Sequence, residues 1–177
     1  MGDMVSADDS AIAANFLTES RRQFRLIAGR VHHAVEQLDN EQIWWRAGEP
    51  FNSIGNLVLH LTGNISERIG SLVGGQAYER DRDREFAERK KIPTATLLAR
   101  FDETMSQVEH VLSALPPERL LEKRRYRMLA GEVENTLMAI IVQNLVHVAG
   151  HTQEIIALTR TQLGERYRFQ LPGSRPK

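Results

Sequence analysis

Cysteine is absent from the 177 residues. That excludes a disulfide framework, a Cys-ligated zinc site, an iron–sulfur cluster and a cysteine nucleophile. A surplus of either charge is also lacking: 23 Lys and Arg stand against 23 Asp and Glu. A neutral chain is not built to coat nucleic acid. No run approaches the ~18 uninterrupted apolar residues of a membrane helix. The first ten residues hold three Asp and no basic stretch, so a secretory signal is not expected and the expected compartment is the cytoplasm. Met1-Gly2-Asp3-Met4-Val5-Ser6 matches the N-myristoylation pattern, a short match that often arises by chance. HExxH is missing too, which disfavours a zincin-type protease.

What is present fits one globular domain. The length suits a single unit with a sizeable core, and 41% hydrophobic with 26% charged residues is the balance of a folded protein. Six histidines beside no cysteine mean that any metal chemistry falls to imidazole and carboxylate.

Apolar spacings of three, four and seven predict four long helices, over about residues 9–38, 53–73, 94–115 and 133–163. Asn52 or Ser53 caps the second, Gly74-Gly75 ends it, Pro93-Thr94 opens the third and Pro116-Pro117 stops it. Residues 39–51, with Trp44, Trp45 and Pro50, read as a loop. Residues 76–92 alternate in charge sign and read as a solvated crossover long enough to span a helix. Residues 118–131 read as a second charged link, and residues 165–177 as an extended tail. No strand pair is expected. Four amphipathic helices and little else imply an all-α, four-helix bundle with a long crossover between helices two and three.

His147 and His151 are four apart on the apolar stripe of the last helix. Side chains at that spacing share a face, with Cβ atoms ~5–6 Å apart, so both rings can reach one ion. Polar rings on a core-facing stripe require a partner, which a metal or neighbouring polar groups can supply. His60, beside Leu57, Leu61 and Asn64 on the second helix, can complete a three-histidine set if the two helices pack together. Three protein ligands with an open position is the pattern of a catalytic metal site. Neutral imidazoles suit zinc, nickel, copper or iron without choosing among them. His32, His33 and His110 read as structural. Trp44 and Trp45 read as packing over the bundle end, with a pocket or dimer face as the other possibility. Arg82 and Arg84 read as solvated charge, or as holders of a carboxylated substrate at a pocket mouth.

The segments at residues 52–61 (NSIGNLVLHL), 82–86 (RDREF) and 147–151 (HVAGH) resemble the DinB/YfiT-like superfamily, most closely its DUF1572-type branch. The resemblance runs from the first helix to Leu171-Pro172-Gly173. It implies a four-helix bundle holding a divalent metal on His60, His147 and His151, zinc or nickel foremost, with iron, copper or manganese as alternatives. It also implies a homodimer. Thiol-dependent S-transferases and a thiol-dependent isomerase are characterised members of the superfamily. The implied function is therefore a metal-dependent enzyme acting on a small molecule, with a low-molecular-weight thiol as partner, or with hydrolase-type chemistry. The alternative is a non-catalytic metal-binding or stress-related dimer. Relatives often carry Gly-Gln-Ile after the last histidine, where this chain has Thr152-Gln153-Glu154-Ile155. Glu154 is read as a surface carboxylate, or as a partner approaching the site. Glu154 and Glu19 are the candidate general bases for a hydrolase, and neither has a positive signal.

Overall fold

In the computed structural model, residues 7–128 and 130–170 are described. The myristoylation-like residues 1–6 and Leu171-Pro172-Gly173 lie outside the described residues. The chain is mostly helical with one small antiparallel sheet. Four helices are long: α1 (Ala7–Val35), α3 (Ile54–Ile65), α5 (Thr94–Ala114) and α6 (Leu137–Leu163). Two are short, α2 (Asn40–Trp44) and α4 (Arg82–Ala87). Among the long helices, α1 packs on α6 and α5, and α3 packs on α5 and α6, so each packs on two others. No helix among the described residues is long and apolar enough to cross a membrane.

The periodicity of α3 explains its place at the centre. Leu57, Leu61 and Ile65, and Ile69 just beyond its end, are fully buried. At roughly 1.5–3 kcal/mol per buried side chain, these four contribute ~6–12 kcal/mol. That outweighs the cost of burying His60 and Asn64 on the same helix, provided those polar groups find partners. Phe24 and Val31 from α1, Phe101 from α5, and Leu137, Ile141 and Ile155 from α6 complete the core. Across the α1–α5 seam Arg21 pairs with Glu109 and His32 meets Asp102 at 2.6 Å, while Glu36, one turn on from His32, meets it at 3.1 Å. Burial alone would lower the His32 pKa, but those two carboxylates hold it above its ordinary value.

The structure corrects the sequence expectations in four places. Residues 39–51 are not all loop. Asp39 caps α2 by accepting from the Gln42 amide at 2.8 Å, and the Gln42 side chain returns the bond to the Asp39 amide. The second long helix does not stay α-helical: from Ser66 to Val73 it widens into a π-helix, and Gly75, at φ +75°, turns the chain away. The third correction is a hairpin where no strand pair was expected. Strands β1 (Lys123–Met128) and β2 (Gly131–Thr136) pair Tyr126 with Val133 and Arg125 with Glu134. The last helix therefore starts at Leu137, not near Val133, with Thr136 as its cap. Fourth, the charged crossover is not wholly solvated: α4 packs on α3 with Glu85 buried.

The tail is tied down as far as it is described. Arg168 donates its amide to Gln37 at 2.8 Å and accepts from His33 at 2.6 Å, and Tyr167 meets the His33 ring edge-on.

Candidate metal centre

The site begins at the N-terminus of α3. Ser53 accepts from the Asn56 amide at 3.1 Å, and the Asn56 side chain accepts from the Ser53 amide, a reciprocal cap. Asn56 then donates from Nδ2 to the carbonyls of Glu85 at 2.9 Å and Glu88 at 3.2 Å. One buried asparagine thus starts the helix and fastens α4 across it. One turn further along, His60 is 3% exposed.

Against it stand His147 and His151 of α6. The three rings lie 4.6–5.1 Å apart between centroids and face one another edge-on. His60 Nε2 is 3.0 Å from His147 Nε2. One nitrogen from each ring can be chosen so that all three lie within 4.8 Å of one another, so these residues can hold a metal ion. Deeper along the same two helices, Asn144 donates to Asn64 at 2.6 Å, continuing the polar contact between α3 and α6.

Two rings have a carboxylate on the other nitrogen. Glu85 Oε2 is 2.9 Å from His60 Nδ1, and Glu154 Oε2 is 2.9 Å from His151 Nδ1. With Nδ1–H donated to the carboxylate, Nε2 keeps its lone pair for the centre of the cluster. Glu154 is therefore more than a surface carboxylate, although its side chain remains 43% exposed. Glu85 is held in turn by Arg80, which donates from Nε to Oε1 and from Nη2 to Oε2, both at 2.8 Å. Arg80 Nη1 also donates to Glu67 at 3.1 Å. Such a bidentate fork fixes the carboxylate in plane. Gly63 makes room for it: a Cβ there would come within 2.0 Å of Glu85 Oε1.

The electrostatics favour neutral rings at His60 and His147. Burial pushes His147 down to about 4, with His151, His60 and Arg80 adding to the effect. Burial also lowers His60, where the Glu85 hydrogen bond opposes it and the nearby Arg80 charge reinforces it. Burial would raise Glu85, but the hydrogen bonds from Arg80 and His60 hold it below the usual carboxylate range. Neutral imidazoles and ionised outer carboxylates are the protonation states a bound divalent cation requires.

The cluster opens on a cavity of about 910 Å³. Phe86 of α4 forms one side, its ring 4.6 Å from that of His60, with Arg82 stacked over it at 4.9 Å. The hairpin supplies the opposite side through Arg127, Met128 and Val133. Arg82 lines this cavity, whereas Arg84 is exposed and does not. Trp44 is buried against Gly55 and donates to the Ile92 carbonyl at 3.0 Å; Trp45 is exposed; neither lines the cavity. Glu19 pairs with Arg22 at 2.8 Å on α1, away from the cavity. His110 is exposed.

Sequence reasoning missed Glu85, Arg80 and the hairpin wall. The available signal was that Asn56, an amide in an otherwise apolar stretch, needs buried partners. The residues present fit a divalent metal ion, for which neutral nitrogen donors and an open side are a suitable environment. A family model described as "Protein of unknown function (DUF1572)" matches residues 11–171. No curated protein matches the chain.

Proposed function

The chain belongs to the DUF1572 family, and we propose that it is a metal-dependent enzyme acting on a small molecule, with the ion held by His60, His147 and His151. The four long helices are read as a DinB/YfiT-type bundle whose central pair, α3 and α6, carries the ligands. One observation supports this above the rest: three histidines from two helices converge beneath a cavity, and two of them are oriented by carboxylates. Buried rings need partners in any case, but carboxylates on Nδ1 of His60 and His151 leave Nε2 free for the shared centre, as in the outer layer of metal sites.

A divalent ion so held supplies Lewis acidity: it can acidify water toward a pKa of ~7, polarise a carbonyl, or hold a thiol as its reactive thiolate. The chain's own part is distinct. His60 and His151 present Nε2 because Glu85 and Glu154 accept from Nδ1. Arg80 keeps Glu85 ionised and in plane. Phe86 shields one side of His60 from water. Among the described cavity residues the one carboxylate is Glu67, and Arg80 already occupies it. No free base therefore faces the cavity, and this favours thiol-dependent transfer over hydrolysis. With no cysteine in the chain, the sulfur comes from a low-molecular-weight thiol. The reading includes a cytoplasmic homodimer, supported by the exposed Met138, Val142 and Val146 along one face of α6.

Metal analysis of the purified protein beside His60→Ala and His147→Ala tests the first step. About one zinc or nickel per chain, lost in both variants, is expected. Wild type that takes up no stoichiometric metal refutes the enzyme reading. Screening thiols with electrophiles then separates the reactions: metal-dependent ester or amide cleavage without any thiol turnover rejects transfer. A metal-loaded protein inactive in both screens is the non-catalytic binder.

A further inference from the structure

Among the described residues, Arg68 Nη1 and Asn144 Oδ1 are buried side-chain atoms without a hydrogen-bond partner. Both residues line the histidine cavity. Buried polar atoms are paired in the great majority of cases, so each exception calls for a reason. A guanidinium nitrogen left over is the more demanding of the two, because the group stays charged.

Arg68 is also held in place. Its Cζ lies 4.5 Å over the Tyr126 ring, a cation–π contact that fixes the plane of the fork. Tyr126 is itself anchored, donating to Gln143 at 3.2 Å and accepting from Asn135 at 3.0 Å. The Arg68 side chain is 15% exposed, and its nearest carboxylate, Glu67, stands 3.5 Å from Nε and is shared with Arg80. Arg82 and Arg127 line the same cavity, so its charge is strongly positive even before any ion binds. A rigid, desolvated fork with an unused donor is the arrangement that takes a carboxylate or phosphate bidentately.

We propose that Arg68 is the anion receptor of this cavity, which takes a small molecule whose carboxylate or phosphate lies against Arg68 while Asn144 Oδ1 accepts an N–H or O–H from the same molecule. Arg68 follows His60 two turns later, on the π-helical continuation of α3, and its charge is felt at His147. The molecule therefore carries its anionic group at one end and meets the histidines with the other. That second end rests on the metal reading above; the anion site does not.

The test uses metal-free, nitrogen-labelled protein and the Arg68 side-chain Nε–Hε resonance, identified by its loss in Arg68→Lys. Succinate, inorganic phosphate and uncharged succinamide are titrated in turn. Succinate or phosphate should move the Arg68 resonance saturably, and succinamide should not. The anion that acts at the lower concentration identifies the group. Arg68→Lys keeps the charge and loses the fork, and should weaken binding about tenfold or more. The proposal is overturned if neither anion moves Arg68, if only the exposed Arg82 or Arg127 respond, or if Arg68→Lys binds as tightly as wild type. Should Arg68→Lys not fold, backbone-assigned wild type decides, because its resonance either responds or does not. Zinc titration of the same sample, followed at the histidine rings, tests the metal reading separately.

Discussion

Glu85→Ala should damage the fold and the metal site together, and the size of each effect follows from the contacts. The Glu85 carboxylate is nearly buried and accepts two bonds from Arg80 and one from His60, all at 2.8–2.9 Å. Its removal leaves Arg80, whose side chain is 8% exposed, with Glu67 as its one charged partner and a contact to His60 Nδ1 at 3.1 Å. Breaking a buried ion pair from one side costs ~3–5 kcal/mol. Because Glu67 retains part of the Arg80 charge, about 3 kcal/mol is expected, a large share of a typical ~5–15 kcal/mol. His60 also loses the acceptor that selects its tautomer, and loss of such a partner typically weakens metal binding ~10–100-fold. Glu85→Gln keeps the shape and one acceptor oxygen, so it should lose less stability. Urea unfolding of metal-free protein measures the first effect, and competition with a chromophoric chelator the second. A loss under ~1 kcal/mol together with unchanged zinc affinity would refute the assignment of Glu85 as the residue that positions His60.

Gly63→Ala places a methyl 2.0 Å from Glu85 Oε1, so it should reproduce most of the Glu85→Ala defect in zinc affinity; wild-type affinity would show that the carboxylate is not fixed there. Glu154→Gln should weaken zinc binding less than Glu85→Ala, because Glu154 is 43% exposed and water can replace it on His151; an equal or larger loss would reverse that ranking. Metal-free protein should lose stability as pH falls from ~6.5 toward 4, since the unfolded chain binds protons near the ordinary histidine value while folded His147 resists them until about 4. His32, raised in the fold, works in the opposite sense and loses its contribution as pH rises; unfolding midpoints across this range should therefore flatten at the acid end in His147→Ala. Tyr126→Leu removes the ring under Arg68 and should leave zinc affinity near wild type while weakening succinate or phosphate binding; an equal loss of both would mean that the hairpin supports the histidines too.

The helices and the histidines were legible in the sequence because both follow one rule. Residues three or four apart share a face, so an apolar stripe marks the core and a histidine on that stripe marks a buried ring. His60, His147 and His151 could be found in this way even though they belong to two helices. Glu85 could not. Local pattern reads the run from Glu79 to Lys91 as solvated, because alternating charges are usually exposed. Arg80 and Glu85 instead neutralise one another, and Asn56 offers the backbone a place to dock, so the pair is buried. That depends on α3 and α4 meeting in space, which no periodicity within residues 76–92 encodes. The hairpin was hidden for another reason: the sequence around it has no Asn-Gly or Asp-Gly, the signal of a tight turn. The pairs Arg125–Glu134 and Tyr126–Val133 become visible only once the register is known.

These two misreadings share a physical origin. The long helices bury apolar faces and can hold ligands with little freedom, so their code is the apolar period. The connections between them bury charge and aromatic edges instead, and they supply what surrounds the ligands: Glu85 and Phe86 from α4 on one side, Tyr126 and Arg127 from the hairpin on the other. Ligand geometry and cavity chemistry are thus carried by separate parts of the chain. The first depends on packing in α3 and α6, where a one-residue shift would carry a histidine off the shared face. The second depends on α4, the hairpin and the cavity-facing side chains of the π-helical turns that hold Arg68, where a charge can change without disturbing the core. A chain organised this way can keep the same three imidazoles while altering what it admits beside them. Arg68, placed on the widened turns and stacked on the hairpin, stands where those two parts meet.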